Sequence, residues 1–107
     1  MFPCFAVELK VKVEPEFHVA DIGRPVTLQC HVSPANLGPS QQITWLHNGN
    51  PVDSTRDQKT LIVPSFQFDD RGVYQCLVRD GLSSAQGQAV VTIGGKLMLV
   101  NLLYWVV

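Results

Sequence analysis

In the seven residues from Asp70 to Cys76, Asp-Arg-Gly-Val-Tyr-Gln-Cys, every second position is a residue with a special structural use. In an extended strand Asp70, Gly72, Tyr74 and Cys76 share one face, while Arg71, Val73 and Gln75 point to the other. Gly72 suits a sharp corner. Tyr74 combines a large apolar body with a hydroxyl that needs a partner, and Cys76 can cross-link. Upstream, Cys30 and Trp45 complete the order Cys, Trp, Cys.

A tyrosine two residues before a strand cysteine, with a tryptophan between that cysteine and an earlier one, is the pattern of an immunoglobulin-like β-sandwich. There the tyrosine hydroxyl bonds backbone across the corner that enters strand F. The expected fold is therefore all-β: an immunoglobulin-like sandwich of I-set type, with two antiparallel Greek-key sheets. Cys30 and Cys76 are expected to form a disulfide with Trp45 packed against it. Leu61, Asp70, Gly72 and Tyr74 complete the core signature. A bridge between two sheets implies an oxidising compartment, hence an extracellular or secretory setting.

The alternation of apolar and polar residues lays out the strands. Val7, Leu9, Val11 and Val13 alternate with Glu8, Lys10, Lys12 and Glu14, giving strand A. Pro15 removes a backbone donor and breaks the ladder, so Phe17 to Ile22 is expected to cross to the other sheet as A′, ended by Gly23. Val26 to Cys30 reads as B, and the Pro- and Gly-bearing stretch from Ser33 to Gln41 as a loop. Ile43 and Trp45 mark C. Asn48-Gly49 signals a tight hairpin into a short C′ at Pro51-Val52. Ser54 to Lys59 is a loop or weak edge strand D, and Leu61 and Val63 lie on E. Phe66 plugs the bottom of the core, and Gly72 to Val78 is F. Asp80-Gly81 with Ser83-Ser84 forms a loop before G at Ala85 to Ile93. The distance from Cys30 to Cys76 is too short for an additional C″ strand. One sheet should hold A, B, E and D, the other A′, G, F, C and C′.

At 107 residues the chain makes one domain, expected over residues 7–95, with a leader at 1–6 and an apolar tail at 96–107 outside it. The tail, Lys96 to Val107, is too short to span a bilayer. It reads either as a truncated membrane segment or, preferably, as read-through sequence foreign to the domain. Met-Phe-Pro-Cys-Phe-Ala-Val lacks the features of a signal peptide, so the domain is expected to be a fragment of a longer protein.

Little in the sequence points to chemistry. The net charge of −1 gives no basic footprint for nucleic acid. No C-x-x-C or Cys/His cluster suggests zinc, and the two acids at Asp69-Asp70 are too few for a calcium site. His18, His31 and His47 stand apart from any nucleophile at a motif spacing. No enzyme, cofactor, metal or small-molecule substrate is expected. Asp70 is expected to pair with Arg56 or Lys59, and Cys4 reads as a stray thiol.

The stretches Asp21-Ile22-Gly23-Arg24-Pro25-Val26-Thr27-Leu28-Gln29-Cys30 and Gly72-Val73-Tyr74-Gln75-Cys76-Leu77-Val78-Arg79, with Ser84-Ala85 through Ala89 to Gly94-Gly95, resemble an internal immunoglobulin domain of arthropod Down syndrome cell adhesion molecules. The resemblance covers about Val13 to Gly95. It implies a type I membrane receptor of nervous and immune tissue, built of tandem domains and acting by homophilic adhesion in self-recognition and axon guidance. Membrane association would come only through that parent receptor. The rivals are a structural spacer in such a receptor and a secreted immune module that binds microbial surfaces.

Strand parity nominates a contact face. Thr44 and Leu46 on C, Gln75, Leu77 and Arg79 on F, and Gln88 and Val90 on G should face outward from the A′GFCC′ sheet. The expectation is one apolar patch of Leu46, Leu77 and Val90 with a polar rim, the usual make-up of a protein interface.

Overall fold

The computed structural model describes residues 8–33, 41–52, 58–81 and 83–94. Their strands are β1 (Lys10–Glu14), β2 (Phe17–Ala20), β3 (Val26–Ser33), β4 (Gln41–His47), β5 (Asn50–Val52), β6 (Thr60–Val63), β7 (Gly72–Asp80) and β8 (Ser83–Ile93). One sheet runs β1-β3-β6 and the other β2-β8-β7-β4-β5. Every pairing is antiparallel except β2 with β8, which is parallel. The first strand divides at Pro15: β1 pairs with β3, and after the cis Glu14–Pro15 peptide β2 joins the opposite sheet beside β8.

Alternation in sequence becomes alternation in burial. On β3, Val26, Leu28, Cys30 and Val32 are buried while Thr27, Gln29, His31 and Ser33 are exposed. Val13, Leu61, Val78, Ala89 and Val91 complete the two inner faces, and Leu9, Val11, Ile43, Val63 and Ile93 are half-buried against them. Phe66, between β6 and the 3₁₀ turn at Phe68–Asp70, is fully buried. Its N–H donates to Arg24 O at 3.0 Å, and its carbonyl accepts from Gly23 N–H at 2.8 Å. Burying a side chain of this size contributes roughly 1.5–3 kcal/mol.

Several boundaries differ from the sequence reading. The described ladder of strand A runs from Lys10, opposite Ser33, to Glu14, opposite Gln29. A′ ends at Ala20, where the turn Asp21–Arg24 begins with an Arg24 N–H to Asp21 O bond. The expected loop at Asp80 to Ser84 is mostly ladder: β7 and β8 stay paired to Asp80 and Ser83, leaving only residues 81–82 between them. Gln41 already belongs to β4. The expectations for residues 1–7, for the apolar tail, for Cys4 and for most of strand D lie outside the described residues.

Candidate protein-contact surface

Cys30 and Cys76 form a disulfide that joins the two sheets, with Cα atoms 6.2 Å apart and a sequence separation of 46. Closing a loop of that length contributes about 4 kcal/mol on the chain-entropy estimate. Trp45, only 1% exposed, lies directly across the ladder from Cys76. Its indole N–H donates to Gln58 O at 2.8 Å, which satisfies the one polar atom it carries. Leu61 fills the opposite sheet at 3% exposure.

Tyr74 is buried and its hydroxyl donates to the carbonyl of Asp70, closing the corner. Burial, and then the nearby Asp70 carboxylate, push its pKa from 10.0 up to about 12. The Asp70 carboxylate accepts the Gln67 N–H at 2.8 Å, so it caps its own 3₁₀ turn. Arg56, one of its expected partners, lies outside the described residues. Gly72 stands at φ 133°, a conformation closed to most side chains.

The outer face of the five-stranded sheet holds all seven nominated contact residues. Thr44, Arg79, Gln88 and Val90 are exposed; Leu46, Gln75 and Leu77 are half-buried. The register does not gather Leu46, Leu77 and Val90 into one patch. Thr44, Leu77 and Gln86 lie on one rung, and Leu46, Gln75 and Gln88 on the next. Val90 falls a further rung away, beside Val73 and Phe17. Gln75 Nε2 donates to Gln86 Oε1 at 2.7 Å, so a glutamine seam divides the apolar residues. Leu46 and Leu77 lie on one side of it. On the other are Phe17 (62% exposed), Val19 (51%) and Val90 (37%), with half-buried Val73. Phe17 and Val19 were not nominated, although their alternation with inward Ala20 carried the signal.

The opposite sheet presents charge. Glu14 lies 3.5 Å from Lys12 Nζ and 3.1 Å from His31 Nε2, on exposed side chains. Pairs of this kind contribute about 0–1 kcal/mol. A shallow groove beside them is lined by Lys12, Glu14, Pro15, Glu16, Thr27 and Gln29. Among the described residues no group of three or more His, Cys, Asp and Glu side chains is placed to hold a metal. The three histidines are dispersed over β2, β3 and β4.

These features define a class: a disulfide-pinned β-sandwich with a tyrosine corner and an apolar strip on one sheet. The immunoglobulin-domain family model matches residues 10–80, and the chain belongs to that family. Within it the similarity runs to the Dscam type. The chain is 28% identical to cell adhesion molecule Dscam1 of Drosophila melanogaster over 82% of its own length and 4% of the relative's. It is 32% identical to the Gallus gallus cell adhesion molecule DSCAM over 73% of the chain and 4% of that protein. Among solved structures, the N-terminal four Ig domains of Dscam1 isoform 6.44 superpose with a TM-score of 0.72 at 27% identity, covering 82% of this chain and 21% of that one. The chain thus spans only a small part of the relatives it matches. A match to peroxidasin of Drosophila melanogaster covers 6% of that protein.

Proposed function

We propose that this domain is an extracellular module of a cell adhesion receptor and acts by homophilic protein contact, in cell–cell self-recognition such as neuronal wiring requires. The observation that carries the reading is the clustering of exposed apolar side chains. Three of the five large exposed hydrophobic residues among the described residues, Phe17, Val19 and Val90, neighbour one another on the outer face of one sheet. Similarity to adhesion receptors supports the same reading. Glutamines and Arg79 on the same face provide a polar rim. The sandwich supplies the scaffold, and no catalytic step is assigned to it.

Beads coated with the purified chain test this. Homophilic contact predicts that they aggregate with one another and not with beads coated with an unrelated immunoglobulin domain. Dispersed beads at every coating density favour the spacer reading, in which the domain only sets the geometry of its neighbours. Dispersed beads that nevertheless capture bacterial glycans favour the secreted immune module.

A further inference from the structure

Asn48-Gly49 is the sole Asn-Gly pair in the chain, and both residues are exposed. They form the two-residue turn between β4 and β5, closed by the His47–Asn50 pair, with φ 51° at Asn48 and 88° at Gly49. Asn-Gly is the sequence in which the following backbone nitrogen meets least hindrance in attacking the side-chain amide. In this turn the Asn48 carboxamide is directed across to β7. Its Oδ1 accepts the Val73 N–H at 2.9 Å, and its Nδ2 donates to Arg71 O at 3.3 Å. The backbone N–H of Asn48 also donates to Val73 O at 2.8 Å.

We infer that Asn48 is a latent deamidation site, held unreactive in the folded domain by its bonds to Arg71 and Val73, and that its conversion releases the β4–β5 turn from the corner entering β7. In the reaction the Gly49 nitrogen loses its proton and bonds to Asn48 Cγ. The Cγ–Nδ2 bond breaks and the side-chain nitrogen leaves as ammonia, giving a five-membered succinimide. Water then opens the ring at either carbonyl. One opening leaves an aspartate; the other leaves an isoaspartate, whose extra methylene lies in the backbone. The sum is amide plus water to acid plus ammonia.

Both products oppose the observed contacts. A carboxylate has no N–H to give Arg71 O, so two oxygens would face each other where a donor now sits. That carbonyl would keep the donation from His47 Nε2, 2.8 Å away; since a carbonyl can only accept, the proton resides on Nε2. The isoaspartate would also lengthen a turn whose two residues match the twist of the hairpin. In the native state, attack requires the carboxamide to leave Val73 and Arg71 first, so the reaction waits on local opening.

The full chain, incubated in mildly alkaline buffer with its disulfide intact, provides the test, with a parallel sample in guanidinium as the unfolded reference. Peptide mapping by mass spectrometry follows conversion at Asn48. The expected result is a native rate about tenfold or more below the unfolded rate, with converted molecules losing exchange protection at the Val73 amide. Equal rates, or no conversion in the unfolded chain, would overturn the inference. Asn48→Asp tests the consequence without the reaction. A melting temperature lowered by several degrees supports the release, and an unchanged melting temperature with full Val73 protection refutes it.

Discussion

The carboxamide of Asn48 occupies the space that a Cβ on Gly72 would need: its Oδ1 lies 2.2 Å from that position. The two residues come from different hairpins, yet together they set the corner from which β7 starts. Gly72→Ala would meet this overlap as well as the strain of a positive φ, and should cost about 2 kcal/mol or more. Asn48→Ala should cost about 1 kcal/mol, because the Val73 N–H loses its acceptor. The double variant should be more stable than the sum of the two losses implies, by about 0.5 kcal/mol or more. Denaturant melts of the four proteins measure the coupling, and strict additivity would mean that the pair does not interact.

Tyr74 makes stability depend on alkaline pH. Its pKa is about 12 in the folded domain against 10.0 for the ordinary phenol. Between these values the unfolded chain sheds the proton while the native state retains it. The contribution is therefore intact below pH 10 and declines as pH rises towards 12, by at most about 1.4 kcal/mol per pH unit. Melting temperatures measured from pH 8 to about 11.5 should fall more steeply for the parent than for Tyr74→Phe. Parallel profiles would show that the tyrosine hydroxyl is not the group responsible.

Trp45→Ala should be the most damaging change in the core. It empties the largest buried site beside the disulfide and leaves the Gln58 carbonyl without its indole donor. A loss of about 3–5 kcal/mol is expected, a large share of what a small domain has. Trp45→Phe should recover part of it by refilling volume without restoring the hydrogen bond. Urea midpoints give the comparison, and a Trp45→Ala midpoint close to the parent's would mean that the core is organised elsewhere.

How much of this was legible in the sequence depends on the range of each interaction. Alternation is local, so the inward set on β3 and the outward set on β7 follow from residue order. The division of the first strand at Pro15 follows from one missing donor, and the Asn48-Gly49 turn from two residues that tolerate positive φ. Register is not local. Parity places Leu77 and Val90 on the same face, but only the β7–β8 ladder sets them two rungs apart, with Gln75 and Gln86 bonded between them. The ladder stays paired out to Asp80 and Ser83, whereas the sequence suggested a longer loop there. The contact between Asn48 and Val73 spans 25 residues and has no sequence signature of its own. The Asp70 carboxylate accepts the N–H of Gln67, a backbone contact three residues away that strand alternation does not announce.

The central claim is that the outer face of the five-stranded sheet carries the homophilic contact, and sedimentation of the purified chain over a range of concentrations tests it most directly. Reversible self-association is predicted for the parent. Phe17→Asp and Leu77→Asp, one on each side of the glutamine seam, should shift it towards monomer with little change in melting temperature. Ile62→Asp and Lys10→Glu, on the other sheet, should leave it intact. A parent that stays monomeric at every concentration, or an association abolished by the Ile62 and Lys10 changes but not by those at Phe17 and Leu77, would contradict the account.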